Sequence, residues 1–373
     1  MRMVKWLAIG LVMLGLAALV GGGWYYSDVL REDGLAVEQA HPPDYLLEVL
    51  AVADGTITLP RTSETEQDGV WGLEWPEGYA QVGGVAQLGS SRVVRELRVL
   101  SMPPEPGQMV RLDGYAFPEN PGTAFGLAYQ EVAVVSDDGP LPAWHVEGTS
   151  DIWAVFVHGK GAERRQALRL IPTVAQLGLP SLVISYRNDP DAPPSADGLH
   201  HFGVTEWMDL EAAVEYARAE GARGVVLVGY SMGGAVVMSY LYRAPTAPLA
   251  RAAVLDAPVL DFGATIDEEA ERRGIPPLLT NLAKAISAAR FGVSWSALDL
   301  VGPAEELRVP ILLFHGTEDR TVFIETSEAL AAARPDLVSY VPVPEAGHVE
   351  SWNVDPLGYE SAVRDFLKRS LDS

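Results

Sequence analysis

No cysteine occurs anywhere in the 373 residues. Disulfides, thiolate metal sites and cysteine nucleophiles are therefore excluded. Positive charge is scarce too: 27 Lys and Arg stand against 50 Asp and Glu, a net charge of −23. That balance argues against nucleic acid as a partner and against docking onto anionic lipid by charge. The seven histidines are dispersed apart from the pair His200-His201, and no H-E-x-x-H motif is present, so no metal is expected. No Gly-rich nucleotide-binding loop follows a strand, and the run Gly21–Gly23 lies inside an apolar segment. No cofactor is expected. Apolar residues, at 48%, suffice for a large core.

That apolar segment is the first positive feature. Trp6 to Tyr26 is 21 residues without a charge, long enough as a helix to span about 30 Å of hydrocarbon. Arg2 and Lys5 precede it, and Asp28, Glu32 and Asp33 follow. Cationic flanks stay cytoplasmic, which predicts a single-pass membrane protein whose remaining chain is extracytoplasmic. Trp6, Trp24, Tyr25 and Tyr26 stand where interfacial aromatics belong. The alternative is a signal peptide, cleaved to give a secreted protein, although no A-x-A site stands at Gly21 or Gly23.

Residues 27–44 read as a short acidic linker, ending at HPPDY. From about 45 to 128 the texture is rich in Gly and Pro with short apolar runs. YLLEVLAVADGTITL reads as two strands about an Asp54-Gly55 turn, and RVVRELRVL alternates like a strand with one wet face. From about 129 the rhythm changes. EVAVVSDDGPLPAWHVEG reads as a hairpin, and then short apolar strands alternate with amphipathic helices. In TEWMDLEAAVEYARAE, Trp207, Leu210, Val214 and Ala217 share one face, with Asp209, Glu211, Glu215 and Arg218 mainly on the others. This alternation predicts an α/β domain with a mostly parallel sheet covered on both faces. The division expected is a transmembrane segment (1–28), a linker with a small β-rich domain (29–128), and the α/β domain (129–373). An excursion of about 45 residues, at about 261–308, interrupts the last and forms a short helical cap.

The chemistry centres on Gly229-Tyr230-Ser231-Met232-Gly233. It matches G-x-S-x-G between the strand VVLVG and the apolar helix GGAVVMSYLY, the context in which a serine is held exposed on a sharp turn. A serine hydroxyl is a weak nucleophile and needs a base. Only His315 and His348 follow it in the chain. His315 sits inside the strand end LLFHG, whereas His348, in EAGHVESW, lies in a loop before the final helix, and is the expected base. The acid that orients it is expected to be Asp319 in HGTEDRTV, with Asp256 in VLDAP as the rival. The oxyanion donors expected are the backbone N–H groups of Met232 and of Lys160 in the loop His158-Gly159-Lys160-Gly161, which His158 orients.

The motifs HGKG, GYSMGG, HGTEDRTV and EAGH, in this order, resemble the α/β-hydrolase superfamily, in its serine-aminopeptidase and monoacylglycerol-lipase-like branch, over roughly residues 129–371. The anchor and β-rich segment resemble membrane-anchored bacterial hydrolases. The resemblance implies Ser231 as nucleophile, Asp319 as acid, His348 as base, and Lys160 and Met232 as oxyanion donors. The expected activity is hydrolysis of a small-molecule carboxylic ester with a short to medium acyl chain. A peptidase or amidase of the same fold, and a non-catalytic membrane-anchored binding protein, are the alternatives. After VISYR this chain reads NDPDAPP in place of the Gly-rich turn of relatives, and its short cap disfavours bulky lipids.

Overall fold

The computed structural model describes residues 2–38 and 42–371, and His41 lies outside the described residues. The long helix α1 (Arg2–Val29) leads the chain and runs on as one wide π turn to Leu35. Val4–Leu35 is long and apolar enough to cross a membrane, and its first half stands clear of the rest of the protein.

A seven-stranded antiparallel sheet follows: β1 (Leu47–Glu48), β2 (Ala51–Ala53), β3 (Thr56–Pro60), β4 (Trp71–Trp75), β5 (Gly78–Leu88), β6 (Arg92–Val99) and β7 (Met109–Asp113). The β2–β3 hairpin turns at Asp54-Gly55, both at positive φ. This sheet has its own core, with Val49, Ile57, Leu59, Trp71, Leu73 and Trp75 buried. One strand departs from the expected pattern. Arg95 of β6 faces inward and is completely buried, and its guanidinium donates to the carbonyls of Gly83, Thr65, Gln67 and Gly69. The alternation of RVVRELRVL puts an arginine on the dry face, where its guanidinium satisfies the carbonyls of the loop before β4 and of Gly83 in β5.

A short helix α2 (Pro121–Phe125), capped by Asn120, leads into the main sheet. Its strands are β8 (Gln130–Ser136), β9 (Gly139–Val146), β10 (Ile152–Val157), β11 (Ser181–Ile184), β12 (Gly224–Tyr230), β13 (Ala250–Asp256), β14 (Ile311–Gly316) and β15 (Val338–Val343). They lie in the order β15-β14-β13-β12-β10-β11-β9-β8, parallel from β15 to β11, with the β8–β9 hairpin antiparallel at the edge. Strands covered on both faces need no polar alternation, and every residue of β12 is buried. Helices α4 (Trp207–Ala219), α5 (Met232–Arg243) and α8 (Ile324–Ala333) pack in one core layer, and α3 (Ile171–Gln176), α9 (Ser351–Val354) and α10 (Pro356–Leu371) in the other. On α4 the expected apolar face is present, but Asp209 is also buried, because Arg187 reaches it with two hydrogen bonds of 2.8 Å. The excursion between β13 and β14 folds as α6 (Phe262–Arg272) and α7 (Pro277–Phe291).

After the β8–β9 hairpin the chain lays down β10, adds β11 on one side of it, and then crosses to add β12 on the other. The loops after β10 and β12 therefore diverge at a switch point, where open α/β sheets bind ligands beyond the carboxyl ends of their strands.

Candidate active site

The serine lies at this switch point. Ser231 has φ +50° and ψ −117°, a conformation that L-residues seldom occupy. The glycines that flank it leave no room for a side chain. A Cβ on Gly233 would collide with the carbonyl oxygen of Val157, and one on Gly229 would lie 2.7 Å from that of Gly233. The backbone locks the turn: Ser231 N–H donates to the Asp256 carbonyl at 3.0 Å, and the Ser231 carbonyl accepts from Gly234 and Val259. The hydroxyl is thereby held off the sheet.

His348 Nε2 lies 2.8 Å from Ser231 Oγ, and its Nδ1 lies 2.7 Å from Asp319 Oδ2. A carboxylate only accepts, so Nδ1 carries the hydrogen and Nε2 is left to accept from the serine. Asp319 is itself fully held. Its Oδ1 accepts from the N–H groups of Thr321 and Val322, and His315 Nε2 stands 3.3 Å from its Oδ2. Burial alone would raise this carboxyl, but the hydrogen bonds from His315 and His348 outweigh it and hold it well below the usual carboxylate range.

The sequence treats His315 only as a ring inside a strand end. The structure gives it a specific task. Its Nε2 faces two acceptors, the Val322 carbonyl at 2.9 Å and Asp319, so it carries the hydrogen, while Nδ1 accepts from Ser327 at 2.7 Å. Asp256, the rival acid, is buried behind the turn. It accepts from the Ser351 hydroxyl at 2.8 Å, and burial raises its pKa. No hydrogen bond joins it to either His348 or Ser231 Oγ among the described residues.

Two backbone N–H groups flank the serine without an acceptor among the described residues, those of Met232 and Lys160. The loop carrying Lys160 is pinned from three sides. Gly159 N–H donates to Gln166, the His158 ring lies between the Gly159 carbonyl and Asp189 Oδ2, and the Tyr186 hydroxyl donates to the carbonyls of His158 and Gly159. Burial opposes a charge on His158, but Asp189 outweighs it and raises the pKa. The segment NDPDAPP thus supplies Asp189, a support for this loop that the sequence reading misses; a carboxylate in a tight turn after a strand end is the only signal.

An apolar cavity of about 520 Å³ opens beside Ser231 and His348. Val259, Phe262, Ile266, Ala270, Ile275 and Ala283 line it from the cap side. Another wall is α1 and the segment after it: Tyr26, Val29, Leu30, Asp33, Gly34 and Glu38. Residues the sequence reads as linker are therefore part of the site. The cap leucines explain why. Leu279 and Leu282 turn toward Gly22 and Gly23, which leave room for close helix packing, and do not line the cavity. Leu278 faces outward, and Trp295 stacks parallel to Phe262. Arg290 of α7 pairs with Asp28 at 2.7 Å, donates to Ser27 and lies 3.9 Å over the Trp24 ring. Further along, Lys160 Nζ pairs with Glu38 at 2.7 Å, and His200 N–H donates to the Leu35 carbonyl. The Lys160 side chain thereby clamps the segment that follows α1 onto the loop after β10.

Geometry and ancestry agree on the fold. Residues 143–362, more than half of the chain, match the alpha/beta hydrolase family, and residues 48–113 match a domain of unknown function, DUF8805. An uncharacterized protein of Mycobacterium tuberculosis is 27% identical over 253 residues, covering 64% of this chain and 79% of that protein. Among solved structures, the esterase PF2001 of Pyrococcus furiosus superposes with a TM-score of 0.53 at 20% identity, over 68% of this chain and 95% of its own. Est1E of Butyrivibrio proteoclasticus, solved with ferulic acid bound, gives 0.50 at 18% identity, over 65% of this chain and 100% of its own. At such identities these likenesses concern the fold. On the span of the family match, the chain belongs to the alpha/beta hydrolase family.

Proposed function

We propose that this chain is a membrane-anchored serine hydrolase that cleaves carboxylic esters of short to medium acyl length through an acyl-enzyme. The observation that carries the reading is the continuous chain of hydrogen bonds from Ser231 Oγ through His348 to Asp319. In this reading Ser231 Oγ attacks the ester carbonyl as its proton passes to His348 Nε2. The N–H groups of Met232 and Lys160 receive the developing oxyanion, a role in which one donor is worth about 10²- to 10³-fold. Collapse of the tetrahedral adduct returns the proton to the departing alcohol. Water, activated by the same imidazole, then releases the acid. That the similar structure PF2001 is named an esterase agrees with this scheme.

The charges of the cavity favour an ester over an aminoacyl amide. Aminopeptidase activity needs carboxylates free to hold the substrate ammonium. Three line the cavity, but Glu38 is paired with Lys160 and Glu269 with Arg273, which also approaches Asp33. Lining cations (Lys160, Arg272, Arg273, Arg320) outnumber these acids.

The test is fluorophosphonate labelling of the full-length protein in detergent, followed by 4-nitrophenyl esters of graded length. Each added methylene buried in the cavity contributes about 0.8 kcal/mol, roughly fourfold in kcat/KM, until the space is full. The expected profile rises from acetate to butyrate or hexanoate and falls by palmitate. A preference for aminoacyl anilides would move the reading to a peptidase.

For the anchor, the expected result is a full-length protein that stays with membranes in high salt, while a reporter active only outside the cytoplasm works when fused after the last residue. The close seating of Gly22 and Gly23 on the cap supports retention of the helix. Release of a chain whose first residue lies near Trp24 would show a cleaved signal.

A further inference from the structure

Ser231 and His348 border a second, smaller cavity of about 250 Å³, on the side away from the cap. One wall is the Gly159–Ala162 loop with Gln166 and Arg169. The other comes from the seven-stranded domain and the segment just after it, through Trp71, Asp113, Gly114 and Tyr115. We propose that this is the leaving-group subsite, that the seven-stranded domain exists in part to build it, and that it takes a neutral alcohol bearing further hydroxyl groups. The inference rests on the ester reading above, because it divides the two cavities between the two halves of an ester: acyl chain on the apolar side, alcohol on the polar side.

Three observations carry it. First, the domain is fastened to the catalytic loops and is not an appendage. Asn353 Nδ2 donates to the carbonyls of Val70 and Gly114, Val70 N–H donates to the Asn353 carbonyl, and Arg165 pairs with Asp113 at 2.7 Å. Gln67 donates to Glu350, which in turn accepts from Gly347 N–H beside His348, and Arg169 bridges the carbonyls of Gly114 and Val349. The wall of the cavity is therefore held in register with the imidazole.

Second, the lining charges cancel. Asp113 and Glu350 stand against Lys160 and Arg169, and Asp113 and Lys160 are each already paired. Arg169 donates to the carbonyls of Gly114 and Val349 and Glu350 accepts from Gln67 and Gly347, so with two acids against two cations the wall carries no excess of either charge, which selects for a neutral headgroup. Third, polar capacity remains. The Tyr115 hydroxyl accepts from Glu163 N–H, and burial pushes its pKa up to about 12, so its own proton stays available to donate. Gln166 uses its oxygen on Gly159 N–H, and its amide nitrogen has no acceptor among the described residues. Donors of this kind recognise hydroxyls and lose little when the site is filled by water, but an alkyl alcohol would leave them unpaired.

The experiment holds the acyl group fixed and varies the alcohol, using full-length protein in detergent. Glycerol 1-monobutyrate is compared with ethyl butyrate in wild type, Gly114→Leu and Tyr115→Phe. A Cβ at Gly114 meets nothing within 4 Å and its φ is ordinary, so a leucine there enters the open space of the cavity without disturbing the backbone. Two neutral hydrogen bonds amount to roughly tenfold in kcat/KM. The expected result is a glycerol-to-ethyl ratio of about ten or more in wild type, falling toward one in Gly114→Leu and by a smaller factor in Tyr115→Phe. A wild type without the preference, or a ratio unmoved by Gly114→Leu while ethyl butyrate is still cleaved, overturns the subsite and leaves the ester reading standing. Failure of wild type to cleave either ester overturns both.

Discussion

Ser231→Ala is expected to abolish ester hydrolysis, with a loss of roughly 10⁴- to 10⁶-fold in kcat. The fold should be kept, because alanine occupies the same backbone conformation and removes only Oγ, whose one partner among the described residues is His348 Nε2. The turn makes a second, independent statement. At φ +50° any residue with a Cβ is strained, and the turn holds it through the bonds to Asp256, Gly234 and Val259. Ser231→Gly removes the Cβ and is expected to be equally inactive yet more stable than Ser231→Ala by about 1 kcal/mol. Kinetics with 4-nitrophenyl butyrate and thermal unfolding of both variants decide the matter. Near-wild-type turnover in either would take the nucleophile away from Ser231. A glycine variant less stable than the alanine variant would show that the conformation is relaxed.

How far the sequence speaks can be judged residue by residue. The serine turn is legible because its constraint is close at hand: Gly229 answers a collision with the backbone of the turn itself, and Gly233 one with the end of the adjoining strand β10. His348 and Asp319 are legible because parallel strands bring every loop at their carboxyl ends to one edge, so chain order nearly determines proximity. What escapes the sequence is long-range compensation of charge. Arg95 and Asp209 look like solvent-facing residues until the carbonyls around one and Arg187 beside the other are known. The acidic stretch after α1 looks like a tether. Its residues through Glu38 instead pair with cap and loop and close the cavity, a fact that depends on the docking of α1 against α7. His315 is the intermediate case. Its place in a strand end is readable, but its contact with Asp319, four residues on, depends on how the next turn folds back.

The acid of the site can be distinguished from its rival by what an asparagine would do in each place. At Asp319, Oδ1 accepts from two backbone N–H groups while Oδ2 faces the His348 and His315 N–H groups. An amide cannot serve both sides. With its oxygen on the backbone, its NH₂ meets two ring donors, and His348 must shift its proton to Nε2, where it can no longer accept from Ser231. With its oxygen on the rings, the NH₂ meets the N–H groups of Thr321 and Val322. Asp319→Asn is therefore expected to lower kcat by about 10⁴-fold through the wrong tautomer. Asp256, by contrast, bonds Ser351 through one oxygen, and its raised pKa marks a site that disfavours the charge an asparagine lacks. Asp256→Asn should cost less than about tenfold, since it disturbs no bond to the imidazole. Stability gives a parallel test. The folded pKa of Asp319 lies below its unfolded value near 4, so its contribution is full above that pH and is lost as the pH falls below it. Asp319→Asn should be less stable than wild type at neutral pH, and the gap should narrow as the medium is acidified. Denaturant unfolding between neutral pH and about pH 3, together with kcat for both variants, checks the assignment. A larger kinetic loss in Asp256→Asn, or a gap that widens in acid, would assign the acid to the earlier strand.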